Sequence, residues 1–187
     1  MELLKYLKDS VTLSSVLEEK LKVLLERKEF SKGQFLFQQG EVCRQMFFIE
    51  KGFARVFYIS RAGKEITAWF STENDFVTPI DTFYQHKATQ NNCELLEDSV
   101  VFSLQYSDLE KLLSNNPEVV NLAFLTSIEI AKKMSEFIIS IKFQTAEERY
   151  NTLMQNYPYI FQRAPLVHIA SYLGITPETL SRLRTQK

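Results

Sequence analysis

The chain has 187 residues, 45% of them hydrophobic and 24% charged, with a formal net charge of −1. That is globular composition, far from the disordered regime, and it leaves room for one large domain or two small ones. The near-zero charge does not by itself point to nucleic acid, and two cysteines and two histidines are too few for a disulfide scaffold, an iron–sulfur cluster or a zinc centre.

At the N-terminus, no apolar run approaches the ~18 residues that span a bilayer. The order of a secretory signal is missing as well, so a cytoplasmic protein without a membrane partner is expected. Residues 13–30 read as one amphipathic helix, with Leu17, Leu21, Leu24 and Leu25 at three- and four-residue steps.

From Ser31 the period changes. Gly33, Gly40, Gly52 and Gly63, four of the five glycines in the chain, punctuate β-rich segments. These predict strands over Phe47–Glu50, Phe53–Ile59 and Glu65–Phe70, with a further pair at Asn92–Leu95 and Val100–Leu104. Short strands at this spacing suggest a sandwich or barrel. Enzymatic readings are poor, since the chain lacks GxSxG, HExxH, GxxxxGK[ST] and GxGxxG. A cupin-type β-barrel enzyme would need histidine and carboxylate ligands on its strands, and FFIEKGFARVFYI and EITAWF contain no histidine. Buried or half-buried thiols are expected at Cys43 and Cys93.

Helical patterning resumes with Ser107 as the expected N-cap of DLEKLLSNN. A long helix then follows from Pro117 to about Phe143. Within it Val120, Phe124, Ser127, Ala131, Met134, Ile138 and Ile141 form a heptad seam with one polar member. Apolar residues outside the seam mean that the helix must be covered on two sides. Burial within one domain is one solution; covering by a partner's identical helix is the other. Thr145 and Glu148 have capping-box spacing at the head of the next helix.

The stretch His168-Ile-Ala-Ser-Tyr-Leu-Gly-Ile-Thr-Pro-Glu-Thr-Leu-Ser-Arg-Leu-Arg184 fills every restricted position of a helix-turn-helix. Ile169, Leu173, Leu180 and Leu183 supply the apolar contacts, and Ala170 is small where the helices cross. Gly174 suits a turn that needs positive φ. Thr176 can cap the second helix, and Pro177 stands at its first position. Thr176, Pro177, Glu178, Ser181, Arg182 and Thr185 then face outward, on a helix that would enter the major groove. Arg182 could pair with guanine and Glu178 with cytosine. Thr179 and Ser181 suit sugar–phosphate contacts, and Arg184 adds a positive charge.

A β-roll, a long heptad helix and a C-terminal helix-turn-helix together resemble the Crp/Fnr family of bacterial transcription regulators. The resemblance rests on FIEKGFARVFYI with GKEIT, on NDF before residue 77, and on HIASYLGITPETLSRLR. It is similar to the short form of the family in Bacteroidetes-like bacteria. It implies an α+β fold: a double-stranded β-helix (jelly-roll) sensor domain over 1–116, a dimerisation helix over 117–143, and a winged-helix-like DNA-binding domain over 144–187. It also implies a homodimer on palindromic double-stranded DNA, in contact with RNA polymerase, with Glu178 and Arg182 at the base-reading positions. The family's cyclic-nucleotide cassette is degenerate here. Its Gly-Glu and Arg are replaced by Asp75-Phe-Val-Thr-Pro-Ile-Asp81 and by residues near Thr89, so cyclic AMP is not expected. An unknown effector is assigned to a pocket around Val77, Thr78, Asp81, Lys87 and Thr89, with His86 and Lys87 as candidate anion partners. Neither the cysteine cluster of the oxygen-sensing branch nor evident haem ligands are present, so no cofactor is expected. The alternative is a small-molecule-binding module acting through a protein partner.

Charge placement separates two regions. Residues 145–187 carry five basic and three acidic side chains, a balance of +2, while the other 144 residues stand at −3.

Overall fold

The computed structural model describes residues 2–10, 13–85 and 87–185. Two helices, α1 (Glu2–Ser10) and α2 (Ser15–Leu24), precede eight strands: β1 (Glu26–Phe30), β2 (Phe35–Phe37), β3 (Gln45–Lys51), β4 (Ala54–Ile59), β5 (Glu65–Ser71), β6 (Phe76–Val77), β7 (Asn91–Leu95) and β8 (Ser99–Gln105). A short helix, α3 (Ile80–Gln85), interrupts them after β6. The strands form two antiparallel four-stranded sheets, ordered β1-β8-β3-β6 and β2-β7-β4-β5. Their facing sides enclose Phe37, Phe47, Ile49, Leu95 and Val101.

The outer side of each sheet is covered by helices. On the first sheet, Phe48, Phe102 and Leu104 pack against Leu3, Leu17 and Leu21 of α1 and α2, and against Leu112 of α4 (Tyr106–Asn115). The long helix α5 (Pro117–Phe143) continues from there through Val119. The second sheet, with Phe53, Phe70 and Leu96, carries α6 (Ala146–Asn156), α7 (Ile160–Arg163), α8 (Leu166–Leu173) and α9 (Pro177–Thr185). No strand occurs among the described residues of 146–185.

Three readings of the sequence change. The helix expected over 13–30 ends at Leu24, and Glu26–Phe30 is a strand. Its helix-forming residues are overridden by pairing with β8, from Glu26 opposite Ser103 to Phe30 opposite Ser99. Helix α4 begins one residue before Ser107, with Gln105 at the N-cap and no side-chain cap bond. Helices α1 and α3 add to the expected elements. The capping box at Thr145 and Glu148 forms as the spacing predicts.

Gly52 lies between β3 and β4 with φ of +126°, and a Cβ there would collide with the Ser99 hydroxyl. No helix among the described residues is long and apolar enough to cross a membrane.

Candidate functional site

The α8–α9 hairpin is fixed by local sterics. Gly174 closes α8 in the left-handed region (φ +67°), and the Ile175 N–H reaches back to the Ala170 carbonyl at 3.0 Å. Thr176 Oγ1 accepts the Thr179 N–H at 3.2 Å, capping α9. Ile169 and Leu180 are wholly buried between the helices and the second sheet. This leaves Thr176, Pro177, Glu178, Ser181, Arg182, Arg184 and Thr185 exposed, with Thr179 half-buried. A hydrogen bond from the Thr176 side chain and the α9 backbone hold the Glu178 carboxyl below its ordinary value. It is therefore an ionised acceptor at neutral pH.

The partner helix α8 faces inward and seats the hairpin on the outer side of the second sheet. The Thr67 N–H of β5 donates to Ser171 Oγ at 2.9 Å. Arg55 of β4, only 2% exposed, lies on the Phe57 ring and donates to His168 Nδ1 at 2.7 Å. Its other terminal nitrogen donates to Glu65 and Glu94, each at 2.7 Å. Because a guanidinium only donates, His168 must accept at Nδ1 and is neutral in this contact. Burial, then the Arg55 charge, push its pKa below the usual value. Arg163 of α7 makes a second clamp, bidentate on Glu73 (2.9 and 2.8 Å) and bonded to Glu97 at 2.6 Å. Burial raises the Glu73 carboxyl, but hydrogen bonds from Arg163, Thr72 and the Gly52 N–H outweigh it and hold it at about 2.

The basic excess of the C-terminal region is thus partly internal. Arg163 is engaged by carboxylates, and Arg149 donates to the carbonyls of Leu173 and Gln144. Arg182 and Arg184 remain on the exposed side, and Lys187 lies outside the described residues.

Helix α5 carries two stripes. Val119, Leu122, Thr126, Lys133, Phe137 and Ser140 are buried or half-buried against the chain's own domains. All seven seam positions, Val120, Phe124, Ser127, Ala131, Met134, Ile138 and Ile141, are exposed; Phe124 reaches 62% and Met134 52%.

Between the inner stripe and the β-roll lies a cavity of about 510 Å³. Tyr6, Tyr58, Trp69 and Phe76 give it aromatic walls, and Asp75 and Glu129 contribute carboxylates. Lys133 is the one cation among the described lining residues, and its Nζ stands 3.5 Å from Asp75 Oδ1. Of the expected effector residues, Val77 and Thr78 line this cavity. Lys87 and Thr89 are placed elsewhere: the Lys87 side chain is exposed, and buried Thr89 accepts the Asn91 N–H. The Asp81 side chain and His86 lie outside the described residues. The α5 and α1 walls were not read from the sequence, because local spacing does not report which helix closes over a sheet.

Cys93 is buried and Cys43 half-buried, and burial pushes both thiols up. Among the described residues, no group of three or more histidines, cysteines and carboxylates is gathered as for a metal ion.

Residues 27–116 match the family described as cyclic nucleotide-binding domain. Over 179 residues the chain is 30% identical to the fumarate and nitrate reduction regulatory protein of Vibrio cholerae serotype O1, covering 88% of this chain and 70% of that protein. The chain belongs to the Crp/Fnr family. Solved structures share the fold. FixK2 from Bradyrhizobium japonicum superposes with a TM-score of 0.74 at 18% identity, over 87% of this chain and 83% of that one. A Crp/Fnr-family regulator from Eubacterium rectale gives 0.73 at 15% identity, over 91% and 82%. Crp/Fnr proteins of this kind are regulators of transcription rather than enzymes.

Proposed function

We propose that this Crp/Fnr chain is a dimeric, sequence-specific DNA-binding regulator of the cytoplasm, divided as 1–116 sensor, 117–143 dimerisation helix and 144–187 DNA-binding unit. The observation that carries the proposal is the exposed row on α9. Docking engages α8 and α7 and leaves Glu178, Ser181 and Arg182 open to solvent. Arg182 reads a guanine edge, Glu178 accepts from a cytosine amino group, and Thr176, Thr179 and Arg184 hold the sugar–phosphate backbone.

The seam on α5 supports the dimer. A 27-residue helix is ~40 Å long, and its exposed apolar side needs a cover that this chain does not supply. A second copy related by two-fold symmetry supplies it, and symmetry makes the operator palindromic. RNA polymerase is the further partner that regulation of transcription requires.

The effector is a small molecule other than a cyclic nucleotide. A cyclic phosphate needs a charge-assisted partner, whereas the cavity offers two carboxylates against one lysine already facing Asp75. Selection of bound DNA from a random pool tests the proposal, with a palindrome of two half-sites expected. Recovery of no enriched sequence, with the chain acting only in a complex with another protein, would favour the partner-binding alternative.

A further inference from the structure

A second, smaller cavity of about 120 Å³ lies where three parts of the molecule meet, next to the effector cavity described above. Phe70 of β5, Phe137 of α5 and Tyr172 of α8 wall it. The Tyr172 ring sits 5.4 Å from Phe70 and 5.2 Å from Phe137, centroid to centroid. Tyr157 and Tyr159, from the segment between α6 and α7, close another side, their rings edge-to-face at 6.2 Å.

The three tyrosines bring phenol hydroxyls to the cavity. None of their hydroxyls bonds to a group among the described residues. Burial, then the neighbouring phenol oxygens of Tyr157 and Tyr159, push the Tyr172 hydroxyl up. Burial, then the Asp75 charge, push Tyr159 up to about 12. Tyr159 and Tyr172 are therefore protonated donors at neutral pH, and all three side chains are half-buried on the cavity wall. The charged groups on the lining balance, Lys133 and Arg149 against Asp75 and Glu136.

We propose that this junction cavity is a binding site for a neutral, single-ring aromatic compound bearing a hydroxyl or carbonyl oxygen. The volume suits one ring, since an apolar cavity of roughly 150 Å³ holds benzene. The aromatic walls take the ring by stacking and edge contacts, and the oxygen accepts from the tyrosyl hydroxyls. Charge balance favours a neutral molecule over an anion or a cation. Occupancy ties α5, β5 and α8 together and so reaches the DNA-reading hairpin. It also reaches the effector cavity, because Trp69, Asp75 and Lys133 line both.

The test uses the full chain with benzyl alcohol, and with toluene and benzoate as comparators, followed by calorimetry or ligand-observed NMR. Benzyl alcohol should saturate at about millimolar concentration or below. Toluene, which lacks the oxygen, should bind about tenfold more weakly, and benzoate should bind more weakly than benzyl alcohol. Tyr172→Phe should weaken benzyl alcohol about tenfold and leave toluene unchanged, which isolates the hydroxyl contact. Ser140→Phe should fill the cavity and abolish binding of both neutral probes, whereas Thr126→Trp, in the effector cavity, should not. Equal binding of toluene and benzyl alcohol, loss of binding in Thr126→Trp, or binding unaffected by Ser140→Phe would each overturn the assignment.

Discussion

The two helices of the terminal hairpin are close in length, eight residues in α8 and nine in α9, but they face opposite ways. Helix α8 is bound to the β-roll by Ser171 and His168, with aromatic support through Tyr172. Helix α9 turns Leu180 into the buried seam, with Thr179 and Leu183 half-buried beside it, and presents its other side chains to solvent. The contrast shows how one motif divides its work. One helix fixes the orientation of the unit relative to the sensor, and the other is left chemically free to read a partner. Anchoring belongs to the first, and the recognition proposed above to the second.

The severest way to break this division is to remove what the helices share. Leu180→Ala opens a cavity in a wholly buried site and should cost roughly 2–5 kcal/mol of unfolding free energy, measured by denaturant titration. DNA binding would fall with it. Arg182→Ala acts on the free side only. It should leave stability within about 0.5 kcal/mol and weaken the selected operator by ~1–3 kcal/mol, relaxing preference at one base position in each half-site. A uniform loss across unrelated sequences would instead make Arg182 a phosphate contact. Arg163→Met acts on the docked side only. Its carboxylate partners are about one-third exposed (36%), so solvent screening limits the loss to about 1 kcal/mol. Proteolysis of the segment between α5 and α6 is the sharper readout, and unchanged susceptibility would show that the clamp does not hold the unit on the sheet.

The same division explains what could be read from the sequence. The hairpin was legible because its constraints are local: a left-handed glycine, a threonine cap, a proline at the first turn and apolar residues at fixed steps. The exposed seam of α5 was legible from its heptad spacing for the same reason. The seat of the hairpin was not. Arg55 and His168 are 113 positions apart, and Arg163 lies 90 from Glu73. Before folding, both arginines look like ordinary surface charges, and Arg163 counts toward the basic excess of residues 145–187 although Glu73 and Glu97 engage it. β1 was misread because Glu26–Phe30 contains good helix formers and its strand state comes only from β8. Family spacing points to Thr89 for the effector pocket, and charge to Lys87, whereas the cavity is closed by α1 and α5, elements distant in the chain.

Acid titration dissects the docked side without mutation and gives the smallest of the expected effects. His168 has its pKa lowered in the fold, so the unfolded chain binds more protons below pH 6.5. The contribution of the neutral imidazole is complete above that value and is lost as pH falls through the lower, folded one. Glu73 is lowered from 4.5 to about 2, so its contribution is complete above pH 4.5 and disappears as pH falls through about 2. Stability should therefore decline with acid in two successive steps. The first places an imidazolium beside the Arg55 guanidinium, with Glu65 and Glu94 the carboxylates that face the pair. His168→Gln keeps an acceptor for Arg55 but cannot titrate, so it should erase the step below pH 6.5 and leave the lower one intact. Thermal melts from pH 7 down to about pH 2 check this. If His168→Gln melts with the wild-type pH profile, the imidazole does not bear on docking, and α8 is held by Ser171, Arg163 and the aromatic contacts alone.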